Sequence, residues 1–245
     1  MKYGFISDIH GNYEALTKAL EILHDKNVNF IYSAGDIVGY GPNPEDCVKE
    51  IQKHAINSVM GNHDFAVNNE EEEWKFNAYA RMAIQWTRDH LSLDSKNFLK
   101  SLPFFIEKDE FTVFHGTLDE EEPFNYILMP EDATISFENM KTRIGFFGHS
   151  HISGIFVENK LKMIDYIPSP SSYTFKLNQN NRYLINVGSV GQPRDGNPMG
   201  SLAIYDTELD SVEILRFQYD IDTVYKKIVS ADLPRFLGER LYSGI

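Results

Sequence analysis

Residues 2–12 read KYGFISDIHGN: a short apolar run, KYGFI at 2–6, that stops at Ser7-Asp8-Ile9-His10. Over residues 13–24, apolar side chains then recur at Ala15, Leu16, Ala19, Leu20 and Leu23, the spacing of one helix face. The phrase repeats. FIYSA at 30–34 reads as a second strand and ends at Gly35-Asp36. Pro44-Glu45-Asp46 opens a second helix, with proline in the first turn where its missing N–H costs nothing. INSVM at 56–60 reads as a third strand and ends at Gly61-Asn62-His63. Strand, helix, strand, helix, strand predicts the start of a parallel sheet.

Further along, residues 72–101 read as helical and lie between strand signals, which predicts an inserted helical lobe at about 65–102, closed by Pro103. Its Trp74, Tyr79, Met82 and Trp86 stand at helical spacing and are expected mostly in the core, with one left as a substrate contact. Glu70 to Glu73 is expected to be a solvated helix N-terminus. Residues 104–107 and 110–114 read as strands leading to His115-Gly116, 131–140 as helix, and 143–147 as a strand leading to Gly148-His149. From 152 to 219 the pattern is mostly β, and the tail at about 222–241 returns to helix, split near Pro234. Its apolar residues Val224, Ile228, Val229, Leu233, Phe236 and Leu237 suit packing on this chain or on a partner, so a homo-oligomer stays open.

Composition narrows the class. The chain has 245 residues, 42% hydrophobic and 24% charged, near globular averages, which excludes disordered and fibrous classes and is enough for a sizeable core. No apolar stretch approaches the roughly 18 residues of a membrane span. The first strand reaches Asp8 and His10 before a signal-peptide core can form, and Cys47 is the single cysteine. Both features fit a cytoplasmic protein without a membrane segment. Cys47 is expected to pack as a small hydrophobe, and His24, His54 and His90 to be plain helix residues. With 36 acidic and 23 basic residues the net charge is -13, which repels polymeric nucleic acid but not a small anion drawn to a local cation.

The strand ends carry the chemistry. Asp8-Ile9-His10, Gly35-Asp36, Gly61-Asn62-His63-Asp64, His115-Gly116 and Gly148-His149-Ser150-His151 each follow a strand signal. In such sheets ligands collect outside the carboxyl ends of the strands, so these phrases are expected to converge. Asp8, His10, Asp36, Asn62, His115, His149 and His151 supply oxygen and imidazole nitrogen but no thiolate. Two carboxylates, an amide and four imidazoles are too many for one ion and enough for two divalent ions roughly 3.5–4 Å apart. Mixed N/O donors favour Mn, Fe, Co, Ni or Zn over Ca and over Mg alone, with Mn the choice for assay. Two such ions keep a small positive charge after the carboxylates are counted, which suits a phosphate.

The order D-x-H-G-N, G-D, G-N-H-D, H-G, G-H-x-H resembles the calcineurin-like metallophosphoesterases. The phrase Asn186 to Gly196 also looks like their small bacterial and archaeal phosphodiesterase branch, which is diadenosine tetraphosphatase-like. The resemblance implies a fold, an αββα sandwich of two mixed β-sheets flanked by helices, across 1–245 as one domain. It also implies that Asp8, His10 and His151 hold one ion, that Asn62, His115 and His149 hold the other, and that Asp36 bridges them. A metal-bridging hydroxide would then attack phosphorus. His63, left over beside a ligand, is the expected proton donor, with Asp64 orienting it or a neighbour. The implied activity is hydrolysis of small phosphodiesters or phosphoanhydrides, with dinucleoside polyphosphates or other nucleotides as substrates. A non-catalytic scaffold and a protein phosphatase are the alternatives. There is no P-loop, no G-x-G-x-x-G and no G-x-S-x-G elbow.

Three residues are expected near substrate. Arg194 suits phosphate oxygens, against a surface pair with Asp195. Tyr40, in the loop after Asp36, either stacks on a base or shapes its turn. Asn12 is expected to cap the first helix, with a secondary role in the site.

Overall fold

Strand β1 (Lys2–Ile6) is buried on both faces, because it has a sheet on one side and a helix on the other. Tyr3 and Phe5 point into one core, while Ile6 points into a second. The computed structural model describes residues 1–245. After β1 come α1 (Tyr13–Asp25), β2 (Phe30–Ser33), α2 (Pro44–Lys53), β3 (Asn57–Ser58), α3 (Asn62–Asn68), α4 (Ala78–His90) and α5 (Leu93–Lys100). Strands β4 (Phe105–Glu107) and β5 (Phe111–Phe114), helix α6 (Thr134–Asn139) and strand β6 (Ile144–Phe147) follow. Then come β7 (Gly154–Glu158), β8 (Ile164–Pro168), β9 (Tyr173–Lys176), β10 (Arg182–Asn186), β11 (Gly200–Asp206) and β12 (Ser211–Phe217). Helices α7 (Ile221–Ser230) and α8 (Phe236–Glu239) complete the elements.

The strands form two mixed six-stranded sheets, ordered β3-β2-β1-β11-β12-β9 and β4-β5-β6-β10-β7-β8. They pack face to face with helices outside, the αββα sandwich expected from the sequence. Phe5 of the first sheet stacks on Phe146 of the second at 3.6 Å between ring centroids, and Phe111 meets Phe5 edge-on at 5.0 Å. Helix α1 buries Ala15, Leu16, Ala19, Leu20 and Leu23, the five positions its periodicity marks. Helix α2 buries Cys47, Val48 and Ile51, so Cys47 packs as a small hydrophobe. On the far side, Phe137 of α6 joins Phe114, Phe147 and Phe156.

Each sheet has its own parallel set. β1, β2 and β3 run together in one, and β5, β6 and β10 in the other. Every strand-end phrase singled out above follows one of these parallel strands, so the phrases gather at one rim of the sandwich.

The lobe departs from expectation in three ways. Residues 72–101 are not continuous helix: a 3-10 turn at Glu70–Lys75 precedes α4 and α5, and the helical run already starts at Asn62. Trp74, Tyr79 and Met82 are exposed rather than in the core. The small side chains Ala80 and Ala83 turn α4 towards Val224, Ile228, Leu233 and Leu237 instead, and close helix contact leaves the large residues outside. Nor is the acidic run all solvated. Glu73 is buried, pairs with Arg88 and accepts from Gln85 Nε2 at 2.8 Å. The same cluster shows that the C-terminal helices pack on their own chain. His24, His54 and His90 are exposed on or beside helices, as expected.

Candidate metal centre

Six residues of this rim other than glycine have backbone φ in the left-handed region: Asp8 at 52°, His10 at 51°, Asp36 at 53°, Tyr40 at 54°, His149 at 65° and His151 at 61°. Asp and His tolerate this region better than most residues, and such conformations cluster where side chains must be aimed. Gly61 is needed at its place because a Cβ there would meet the Asp36 carboxylate.

Asp36 is the hinge of the arrangement. One oxygen, Oδ1, accepts the His63 backbone N–H at 2.9 Å. The other, Oδ2, lies 3.5 Å from His10 Nε2 and 3.4 Å from His115 Nε2. Two groups of candidate metal donors therefore share it: Asp8, His10, Asp36 and His151, and Asp36, His115 and His149. Asn62 Oδ1 joins the second at 3.1 Å from His115 Nε2. All seven sequence-predicted ligands are thus brought together.

The imidazoles show what is wanted between them. His10 Nδ1 faces the Val38 carbonyl at 3.0 Å, His115 Nδ1 the Ala34 carbonyl at 2.7 Å, and His151 Nδ1 the Gln192 carbonyl at 2.5 Å. Carbonyls accept, so each Nδ1 carries a proton. On the neutral His10 and His151 rings Nε2 then presents a lone pair inwards, while His115, beside Asp36, carries a second proton on Nε2. Yet His10 Nε2 and His151 Nε2 are 3.1 Å apart, and His149 Nε2 is buried with no partner. Facing lone pairs with nothing to donate to them call for a cation, and the donor set fits a pair of divalent ions.

Electrostatics agree. Burial pushes His10, His149 and His151 well below the usual imidazole value, so they are neutral and free to ligate. Burial also raises Asp8, to about 7, with Asp36 adding to the rise. Burial opposes ionisation of Asp36, but the His115, His63 and His10 imidazoles hold it well below the usual carboxylate value. Burial acts to lower His115 too, yet Asp36 raises it to about 9. A cluster that must trap a proton between buried groups is poorly satisfied without metal. Ions held at a hundred times their dissociation constant stabilise a protein by about 2.7 kcal/mol each. A chain of this size moves about 2–4 °C per kcal/mol. Chelation is therefore expected to lower Tm by about 5 °C or more in a scan with and without EDTA, and readdition of Mn²⁺ should reverse it. An unchanged Tm would count against tight binding.

His63 is buried against His10, Tyr40 and Phe76, at ring separations of 4.8, 4.5 and 4.8 Å, and its Nδ1 has no partner. Burial lowers it to about 4, so it is neutral near pH 7 before an anion arrives. Asp64 does not orient it. Its carboxylate instead accepts backbone N–H groups of Ile37 at 3.0 Å, Val38 at 3.2 Å and Gly61 at 3.1 Å. It thereby ties the Asp36 loop to the start of α3.

The substrate-side expectations divide. Asn12 is the α1 cap, accepting from Ala15 N–H at 3.1 Å, and its amide donates to the Gly191 carbonyl at 2.8 Å. It is buried, and its amide oxygen and nitrogen tie the start of α1 to the Gly191 loop. Tyr40 is only 6% exposed and edge-on to His10 at 4.7 Å, so it shapes the pocket wall and is not a free stacking face. Arg194 does not pair with Asp195, whose partner is Arg216. Arg194 Nη2 donates to Gln192 Oε1 at 2.9 Å, and its Nε is buried and unpartnered.

A cleft of roughly 580 Å³ opens over the centre, lined by Asp36, Asn62, His63, His149, His151 and Arg194. The lobe contributes Phe65, Lys75 and Phe76 to its wall. Sequence reasoning missed Tyr126, which stacks on His149 at 3.9 Å and is 48% exposed, and the neighbouring Phe124. Both lie in the loop after His115, and the reasoning that singled out Tyr40 would have found them there.

Residues 1–210 match the family model described as calcineurin-like phosphoesterase superfamily domain. An uncharacterized protein of Methanocaldococcus jannaschii is 39% identical over 245 residues, 98% of this chain and 96% of that protein. The crystal structure of a metallophosphoesterase from Sphaerobacter thermophilus superposes with a TM-score of 0.88 at 33% identity, covering 100% of this chain and 99% of the other. A shorter match, 42% over 64 residues, covers 24% of this chain and 23% of a symmetrical bis(5'-nucleosyl)-tetraphosphatase of Buchnera aphidicola.

Proposed function

The chain belongs to the calcineurin-like phosphoesterase superfamily, and on that premise we propose that it is a two-metal phosphoesterase acting on small nucleotide phosphodiesters or phosphoanhydrides. The observation that carries this is Asp36, shared by two groups of inward-facing donors. Asp8, His10, Asp36 and His151 would hold one divalent ion, and Asp36, Asn62, His115 and His149 the other. Bound there, the ions supply Lewis acidity and an activated water at neutral pH.

The chain's own side chains do the rest. Arg194 presents a guanidinium in the cleft wall to orient a phosphate. His63 enters neutral, with a ring N–H to donate. A bound phosphate adds negative charge beside it, which favours its protonated form and lets it pass a proton to the leaving oxygen. Asp64 positions Asp36 by clamping the loop that carries it. Tyr126 and the aromatic wall offer a face to a base. The tetraphosphatase named above suggests dinucleoside polyphosphates as one substrate group.

A hydrolysis panel with Mn²⁺ tests this: bis-p-nitrophenyl phosphate, p-nitrophenyl phosphate, 2′,3′-cyclic nucleotides and diadenosine tetraphosphate, with products resolved by chromatography. Cleavage of a diester or anhydride that stops on chelation is expected. Silence across the panel with two ions bound would overturn the enzyme reading in favour of a scaffold.

A further inference from the structure

Arg240 lies beyond the residues matched by the family model, in the 3-10 turn Arg240–Tyr242 that follows α8, yet it lines the cleft with Arg194. Both guanidiniums turn to one acceptor. Arg240 Nη1 donates to Gln192 Oε1 at 3.3 Å, the same oxygen that takes Arg194 Nη2 at 2.9 Å. Neither meets a carboxylate side chain. Asp195 is committed to Arg216, and Arg240 Nε donates to the main-chain oxygen of Ile245. Aromatic rings support both, Tyr40 at 5.5 Å from the Arg194 guanidinium and Phe236 at 5.5 Å from that of Arg240.

The rest of the cleft sharpens the contrast. Its third cation, Lys75, is paired with Glu72 at 2.8 Å, and Glu120, Glu121 and Glu122 add further negative charge. The two arginines are therefore cleft cations without a carboxylate side-chain partner, in a chain with an acidic excess. Like charges sharing one neutral amide oxygen repel until an anion joins them. One phosphate at the metal centre leaves the donors of a second guanidinium unused. A phosphate chain running on from the centre would use both forks and avoid the glutamates.

We propose that Arg194 and Arg240 form a subsite for the phosphate next to the reacting one, so that the preferred substrate carries a pyrophosphate or longer linkage rather than an isolated phosphodiester. The subsite's link to substrate rests on the phosphoesterase reading; its affinity for anions does not. Arg240 is then a specificity determinant contributed by the C-terminal segment.

Titration calorimetry of α,β-methylene-ADP and of AMP into the manganese-loaded protein reads the subsite without turnover. The diphosphate is expected to bind at least about tenfold tighter than AMP, as charge-assisted hydrogen bonds to a second phosphate should provide. Arg240→Gln should shrink that ratio towards one and Arg240→Lys should keep part of it, with Tm checking the fold of each. Equal affinities in the unaltered protein, or a ratio untouched by Arg240→Gln, would overturn the proposal. The two readings fail separately. Diester hydrolysis without diphosphate preference removes the subsite and keeps the enzyme. Diphosphate preference lost in Arg240→Gln, with no hydrolysis of any substrate, keeps the subsite and removes the enzyme.

Discussion

Replacing Asp36 by Asn is expected to empty the centre. Elemental analysis should fall from two ions per chain to one or fewer, and kcat/KM by at least about a thousandfold. The fold should survive, because an Asn side-chain oxygen can still accept the His63 backbone N–H that Asp36 Oδ1 takes at 2.9 Å. What disappears is the charge on the Oδ2 side, the one position within 3.5 Å of both His10 and His115. Each ion contributes several kcal/mol of transition-state charge stabilisation. Loss of about 4 kcal/mol is about a thousandfold in rate. Two ions retained in Asp36→Asn would sink the bridging assignment, whatever happened to the rate.

Replacing His63 by Ala should give the opposite pattern: both ions kept, with turnover down by roughly 10²–10⁴, the range of a lost general acid. The side chain is buried and belongs to neither donor group. Its removal leaves a space between Tyr40 and Phe76, so Tm must be measured with metal content and rate. Normal metal content with unchanged turnover would remove the assigned role. Loss of metal would instead assign His63 to holding the Asp36 loop.

The alternation of apolar runs and helix-spaced residues, with Asp, Asn or His at each strand end, was enough to place the seven donors at one rim. This worked because a parallel strand fixes where its last residue emerges, so local order in the chain becomes convergence in space. Helix α1 was legible residue by residue for the same reason: its apolar stripe needs no knowledge of its neighbour. The lobe was not. Whether Trp74 and Met82 or Ala80 and Ala83 face inwards depends on how near α7 and α8 approach, which no local pattern states. Asp64 reads in sequence like a partner for the adjacent His63, but the folded loop brings three backbone N–H groups to it first. Arg194 and Arg240 are 46 residues apart and share one acceptor only because the C-terminal helices fold back over the cleft. The sequence by itself determined the parallel strand-helix start and the identity of the donors, since both follow from periodicity and residue chemistry, while the sandwich came with the family resemblance those donors carry. Tertiary structure alone decided which side chains remain free to meet a substrate, since that depends on partners distant in the chain.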